Sequence, residues 1–313
     1  MKTLPVSVLI PTMNRPQSLK KTIAGYMGGK YIPKQIIVVD QSNDNRIIKE
    51  NIAIMNGYKD VADMIYVYQE QASSTKARNT AFHKASEEII IYSDDDVDIY
   101  SDTINNVYKL MRDDSLAMIA GIDDNMSEST SRIGYFIGTK SIKNRNIGHI
   151  TLSVLGRFPN GKIDHPIETV WAMGFFFVVK KSIINKYKLT WDENFSGYAY
   201  AEDLDFTYMY YKCSLNENKR CILTPQIHVK HLVSQEYRIP NRKSTFMYVI
   251  NRWYLSYKHH MGVLSRCSML WCDFCKLIIR IISCERPLDL LQAILYAIKN
   301  RKKLQNGFID YPI

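Results

Sequence analysis

Five short, nearly continuous apolar runs, spaced by stretches of helical periodicity, limit what the first 120 residues can become. The runs are 6–10 (VSVLI), 36–39 (IIVV), 64–68 (MIYVY), 88–92 (EIIIY) and 116–120 (LAMIA). Between them, 16–26 carries Leu19, Ile23 and Tyr26 at helical spacing, and 45–55 is helical up to Gly57. Residues 73–85 open on a serine cap and place Ala77, Ala81, Phe82 and Ala85 on one face, and 102–111 is again helical. Strands apolar along their whole length are buried on both faces. Alternation with amphipathic helices therefore predicts an α/β fold, a mostly parallel sheet covered on both sides. Such sheets bind ligands beyond the carboxyl ends of their strands.

The chain becomes less regular further on. Residues 123–162 are polar with weak periodicity and read as loops or an excursion. Residues 171–179 (WAMGFFFVV) read as a buried strand, 180–187 and 201–211 as helices, and 221–224 as a short strand before Pro225. Gly174 and Trp171 stand out in the buried run, the glycine for the close approach it permits and the tryptophan for its large packing surface.

From Arg238 onward there are 13 Lys or Arg against 4 Asp or Glu, so +9 of the net +10 lies in the tail. Within it Val263, Leu264, Cys267, Leu270, Trp271, Phe274, Leu277, Ile278, Ile281 and Ile282 recur at three- and four-residue intervals, with Arg266, Asp273, Lys276 and Arg280 off that stripe. A second helix, 288–298, runs into Lys299, Arg301, Lys302 and Lys303. Two readings stand. The helices pack on a catalytic body, or they form an interfacial hairpin on an anionic membrane. Nucleic acid is disfavoured as a partner, because no recognition motif accompanies the charge. No stretch approaches the ~18 apolar residues of a membrane span, and the short run near the N-terminus suits a first strand better than a secretion signal. The expected location is cytoplasmic, peripheral at the inner face of a membrane. The six cysteines are then expected as reduced thiols, and the C-x-x-C of Cys272 and Cys275 as core residues of one helix rather than a zinc knuckle.

Polar residues gather where the predicted strands end. Pro11, Thr12, Met13, Asn14 and Arg15 follow the first strand, Asp40 the second, and Asp94, Asp95 and Asp96 the fourth. Taken alone, Asp40 is equally well a cap or turn residue. Three adjacent carboxylates at a sheet edge repel unless a cation neutralises them, and all-oxygen donors suit Mg²⁺ or Mn²⁺. A second acidic group, Glu202–Asp203–Leu204–Asp205, heads a helix behind 197–200 (GYAY). Acids in a first turn serve as caps, or one of them is a general base.

In this order and spacing, VSVLIPTMNR, IIVVDQSND, KARNTA, IIIYSDDDV and YAEDLD resemble the family-2 glycosyltransferases of the GT-A fold over about residues 4 to 235. Met13 replaces the aromatic residue common at its position. The resemblance implies a Rossmann-like sheet, with a nucleotide-binding half over 1–122, an acceptor half over 123–237, and a basic amphipathic tail over 238–313. It implies that Pro11, Thr12 and Arg15 line the nucleotide pocket, that Asp40 accepts from the base, and that Arg78 lies against the nucleotide. Asp94 and Asp96 match the ends of a D-x-D motif. Asp94 would hold ribose or metal, Asp95 would stand with the donor-binding set, and Asp96 would ligate the metal. Asp203 matches the catalytic base, with Glu202 orienting the helix or touching the acceptor. A further metal ligand would be one of two histidines in HVKH, with His231 preferred to His228 because Ser234 and Arg238 continue the family pattern.

The function so implied is inverting, metal-dependent transfer from a nucleotide-diphosphate sugar, UDP-sugars favoured, to a glycan or polyprenyl-linked glycan in cell-surface polysaccharide assembly. Two rivals remain. A sugar-nucleotide pyrophosphorylase would need a glycine-rich basic loop where Pro11–Thr12–Met13–Asn14 stands. A non-catalytic nucleotide-sugar-binding protein would have no need of both acidic motifs.

Overall fold

A computed structural model describes residues 1–126, 132–159, 161–195, 200–233 and 240–312. Ser234, Arg238 and the 197–199 part of the GYAY lead-in fall outside them. Two compact units emerge, Met1–Ser127 with Lys162–Tyr198 and Glu202–Arg238, and Glu128–Gly161 with Ala199–Ala201 and Ile239–Ile313.

The first unit begins β1 (Lys2–Thr12), α1 (Pro16–Met27), β2 (Tyr31–Asp40), α2 (Asn45–Asn56), β3 (Asp63–Tyr68), α3 (Ser74–Lys84), β4 (Ile89–Ser93), β5 (Val97–Ile99), α4 (Thr103–Met111) and β6 (Leu116–Asp123). In the second unit α5 (Ile133–Phe136), β7 (His149–Ile150) and β8 (Gly156–Arg157) follow. The chain then returns to the first with β9 (Ile167–Glu168), β10 (Phe176–Lys180), α6 (Lys181–Tyr187), α7 (Glu202–Asn216) and β11 (Arg220–His231). Four helices end the chain in the second unit, α8 (Asn241–Lys258), α9 (Gly262–Ile282), α10 (Pro287–Lys299) and α11 (Arg301–Gln305).

The predicted α/β architecture is present. The main sheet has the order β3-β2-β1-β4-β10-β6-β11-β5, with β9 on β11. β1 to β4 are mutually parallel neighbours, β6 and β11 form a second parallel pair, and β10 runs antiparallel between β4 and β6. Register puts Thr12 beside Asp40 and Phe176 beside Ser93 along one edge. Val8, Ile10, Ile36, Val38, Ile91 and Val178 are fully buried, as strands covered on both faces require. Pro16 opens α1 with a preset φ, and Ser73 caps α3 by accepting from the Lys76 amide.

Two elements differ from the sequence reading. Only the second half of 171–179 is strand. The amide of Ala172 donates to Thr207 Oγ1 and that of Gly174 to Asp203 Oδ2, so the earlier backbone is taken up by α7 side chains instead of a ladder. The strand expected to stop before Pro225 continues to His231. A register shift against β6 between Leu223 and His228 absorbs the proline.

In the second unit α8, which the periodicity reading did not single out, is the most buried helix. Arg252 and Asp273 are fully buried and joined at 2.7 Å, and the Nε and Nη2 of Arg252 donate to the Ser153 carbonyl. Residues 132–159, grouped with the catalytic region in the sequence reading, thus belong to this unit. α9 buries Ser265, Met269, Cys272, Asp273 and Cys275. Its large apolar side chains Leu264, Trp271, Phe274, Ile278 and Ile282 remain exposed, as do Leu288 and Leu295 of α10. No helix among the described residues is long and apolar enough to cross a membrane.

Candidate functional site

The acidic turn after β4 is held from beneath. Thr22 Oγ1 donates to the Asp95 carbonyl and accepts from the Val97 amide, and the Asp94 amide donates to the Phe175 carbonyl. Successive side chains then diverge. Asp95 turns inward, accepting from Thr12 Oγ1 at 2.6 Å and Arg15 Nη1 at 3.1 Å. Burial pushes its carboxyl up to about 7, against the opposing pull of Arg15 and Thr12.

Asp94 and Asp96 share the other side with His231, and one ligand atom from each of the three lies within 4.8 Å of the others. Among the described residues this is the only grouping of at least three His, Cys, Asp or Glu side chains able to hold a metal ion. Two carboxylates and an imidazole are donors suited to Mn²⁺ and acceptable to Mg²⁺. Burial raises the Asp94 pKa; Arg78 opposes the rise and Asp96 adds to it.

The two histidines separate cleanly. His231 Nε2 lies 3.2 Å from Asp96 Oδ1, and its ring stacks on Phe175 at 5.1 Å. Its amide donates to Asp123 Oδ1, and its carbonyl accepts from Asn125 Nδ2. Burial alone would lower the His231 pKa, but the hydrogen bond to Asp96 and the charges of Asp94, Asp96 and Asp123 raise it. His228 instead pairs with Asp124 at 3.1 Å and lies tilted against the Tyr100 ring.

Arg78 links the two acidic motifs. Its guanidinium donates to Asp94 Oδ1 and Glu202 Oε1, both at 3.0 Å, and lies over the Trp191 ring at 4.6 Å. Burial would lower its pKa, yet Asp94, Glu202 and Asp203 raise it, so the cation is secured. Its donors face those two carboxylates.

Asp203 is fixed by two amides, Gly174 N to Oδ2 at 2.9 Å and Leu204 N to Oδ1 at 2.7 Å. Burial raises the carboxyl pKa of both Glu202 and Asp203. A base with a raised pKa is a stronger proton acceptor. Gly174 is needed for this approach, since a Cβ there would meet Arg78 Nη2 at 3.2 Å and Asp203 Cβ at 3.3 Å.

Pro11 is half-buried, whereas Thr12 and Arg15 are buried and committed to the acidic turn. Asp40 is fully buried and accepts from the Ser42 amide, Asn51 Nδ2 and Tyr66 OH. Its carboxylate braces the end of β2. Trp171 is buried too. Sequence reasoning missed Phe175, Asp123, Asn125 and Trp191. Asp123 and Asn125 lie at the end of the fifth apolar run, where the strand-end rule applied but no cluster drew attention.

The family model of glycosyl transferase family 2 matches residues 7–186. Among solved structures, the chain is similar to the mannosyltransferase PcManGT from Pyrobaculum calidifontis, in complex with GDP-Man and Mn²⁺, at 14% identity and a TM-score of 0.55, covering 96% of this chain and 83% of that one. It is also similar to S. aureus TarS 1-349, at 15% identity and a TM-score of 0.60, covering 96% and 81%. The same TarS fragment in complex with UDP-GlcNAc aligns at 13% identity and a TM-score of 0.58, with 96% and 81% covered. No curated protein matches. The structural likenesses establish a shared GT-A architecture. With more than half of the chain matched by the family model, over a sheet whose edge assembles both acidic motifs, the chain belongs to glycosyl transferase family 2.

Proposed function

We propose that this glycosyltransferase moves a sugar from a nucleotide-diphosphate donor, UDP-sugars favoured, to a hydroxyl of a glycan or polyprenyl-linked glycan, with inversion, in cell-surface polysaccharide assembly. The grouping of Asp94, Asp96 and His231 beside an Arg78 that also grips Glu202 carries the reading. The similar mannosyltransferase was solved with GDP-Man and Mn²⁺, and TarS with UDP-GlcNAc.

Asp94, Asp96 and His231 would hold a divalent cation, Mn²⁺ or Mg²⁺. When bound, such an ion neutralises the charge gathering on the departing diphosphate. Asp203, oriented by the amides of Gly174 and Leu204, takes the acceptor's hydroxyl proton. The freed oxygen bonds the anomeric carbon from the far face, and the electron pair of the broken bond leaves with the nucleotide diphosphate. One displacement inverts the centre. Arg78 holds Asp94 and Glu202 in register and keeps their charge balanced. Pro11, Thr12 and Arg15 shape the donor side, with Asp95 as the buried anchor of the turn.

The tail supports a surface role within the same reading. Of its four acidic residues, Asp273 is consumed by Arg252 and Asp289 pairs with Arg242. Lys299, Arg301, Lys302 and Lys303 stay exposed near the uncovered apolar faces of α9 and α10 in sequence. Apolar surface plus unspent cations is the chemistry of an anionic lipid interface, peripheral at the inner face of a membrane.

Melting of the wild type with a nucleotide-sugar panel, with and without Mn²⁺, tests the donor. Release of nucleotide diphosphate by wild type and Asp203→Asn tests the base. The variant should keep the donor-induced melting shift and lose about 10²- to 10⁴-fold in rate. A wild type that no donor stabilises, or an Asp203→Asn of full activity, overturns the proposal.

A further inference from the structure

Within the second unit, α8 and α9 meet along a polar seam. Arg280 Nη1 donates to Thr245 Oγ1 at 3.3 Å, Lys276 Nζ donates to the Tyr248 hydroxyl, and Arg252 pairs with Asp273 at 2.7 Å. Each step of three or four residues up one helix matches a similar step down the other, so these contacts are successive rungs between antiparallel helices. One carboxylate therefore stands among three cations. It belongs to Arg252, and among the described residues neither Lys276 nor Arg280 has a carboxylate within ion-pair distance. Their partners on α8 are hydroxyls, which are neutral and can donate as well as accept. The surplus charge is not held out in water. Lys276, Arg280 and Tyr248 are half-buried, and Thr245 is buried. The Tyr248 ring has the Lys276 ammonium 4.0 Å from its centroid and the Arg252 guanidinium at 4.4 Å. Arg157, whose Nε and Nη1 donate to the Thr139 and Gly156 carbonyls, is close enough to disfavour the Lys276 ammonium further. Cations crowded together half out of water destabilise one another, and violations of this kind concentrate at functional sites.

We propose that Lys276 and Arg280, with the hydroxyls of Thr245 and Tyr248, form a binding site for a phosphate group. Arg280 follows Lys276 by four residues, one turn along the same face of α9, so ammonium and guanidinium can close on one anion. The ammonium supplies a point charge, the guanidinium supplies paired N–H donors, and the two hydroxyls turn their protons toward the remaining oxygens. Two cations and two hydroxyls suit a group with three or more oxygens and more than one negative charge, which a phosphomonoester has and a carboxylate lacks. The phosphate has two possible sources, the headgroup of an anionic lipid and a free phosphate ion. Ile278, Ile281 and Ile282, exposed on the same helix, give a lipid an apolar flank. The lipid source rests on the membrane reading above; the site itself does not.

The full chain is tested as wild type, Lys276→Met, Arg280→Met and a control, Lys302→Met/Lys303→Met, which removes two exposed cations outside the seam. One arm is calorimetry with inorganic phosphate. The other is sedimentation with phosphatidylcholine vesicles carrying either phosphatidic acid, a phosphomonoester, or phosphatidylglycerol, a diester, at matched surface potential. Each seam variant should lose about 10- to 100-fold in affinity for the phosphate, as loss of a charge-assisted hydrogen bond implies, and the control should stay within about twofold for inorganic phosphate. A free ion as the source gives phosphate binding with no preference between the vesicles. A headgroup as the source gives a preference for phosphatidic acid that the seam variants lose and the control keeps. Burial, Arg252 and Arg157 hold the Lys276 pKa down to about 8 against the pull of Cys272 and Asp273. Bound phosphate should raise it, read from the ε-carbon shift in lysine-labelled protein, because the anion favours the ammonium. Lys276→Met should melt at or above the wild-type temperature in phosphate-free buffer, which separates lost binding from lost folding. A wild type that binds phosphate in neither arm, seam variants that bind like wild type, or a control weakened as much as they are would overturn the proposal.

Discussion

Replacing Gly174 by alanine puts one methyl group between the residue that joins the two acidic motifs and the proposed base. Its Cβ would stand 3.2 Å from Arg78 Nη2 and 3.3 Å from Asp203 Cβ, a few tenths of an ångström inside ordinary contact. Arg78 cannot swing clear cheaply, since Asp94, Glu202 and the Trp191 face all hold it. Asp203 is tethered by the amides of Gly174 and Leu204, so it must move with the backbone or lose a bond. Gly174 is not in the left-handed region, so alanine adds no backbone strain of its own. Misplacement of about 1 Å costs on the order of 10²-fold, so a shift of about 0.3 to 0.5 Å should cost about 4- to 10-fold in kcat. Valine should cost more, because branching at Cβ adds bulk on the same two sides. Initial rates of nucleotide-diphosphate release at saturating donor, with calorimetric affinity for the nucleotide, separate turnover from binding. An alanine variant at wild-type kcat, or one whose loss lies wholly in donor affinity, would refute the reasoning that Gly174 sets the position of the base.

Other perturbations follow from the same geometry. His231→Ala should weaken Mn²⁺ binding, read by calorimetry, by at least about tenfold, and His228→Ala should leave it unchanged because that ring is occupied by Asp124 and Tyr100. Burial, with Arg252 nearby, pushes Lys276 from its ordinary 10.5 down to about 8. Below pH 8 both folded and unfolded chains carry the proton, and the folded state bears the whole penalty; between pH 8 and 10.5 the folded state sheds it and stability rises. Offset by the Tyr248 ring at 4.0 Å, the penalty is about 2 kcal/mol, so Lys276→Met should be more stable by about that much in urea unfolding at pH 7 and should lack the rise toward pH 9.5. The chain should sediment with phosphatidylglycerol vesicles, less so in high salt and not with neutral phosphatidylcholine vesicles; Leu264→Glu with Ile278→Glu should abolish sedimentation.

The parallel core was legible because its signal is local. Runs such as 36–39 are apolar at every position, and only a strand covered on both faces requires that. The acidic turn was legible for a related reason, since three carboxylates directly after such a run have few bland uses. What stayed hidden depends on pairing across long separations. Asp273 looked like a polar residue off an apolar stripe, whereas it is buried and neutralised by Arg252. That pairing inverts α9, turning its polar side inward and leaving Trp271 and Ile278 exposed. Asp40 shows what a strand-end position leaves open. Taken alone its position fits a cap or a turn, and the convergence of three protein donors on it from the Ser42 amide, Asn51 and Tyr66 is set by long-range packing that no local pattern announces. The preference for His231 over His228 came from the family pattern; periodicity stopped the strand before Pro225 and gave no sign that β11 continues past it to bring His231 to Asp96.

The reversed direction of β10 has a consequence for how such a protein can diversify. Because β10 enters the sheet at the rim where β4 leaves it, the chain leading into Gly174 and Phe175 shares that rim with the acidic turn. A change at Gly174 or Phe175 reaches Asp203 through the Gly174 amide and Asp94 through the Phe175 carbonyl, while the buried register of β10 against β4 keeps its alignment. Variation at two positions can therefore re-aim both acidic motifs without disturbing the strands that carry them.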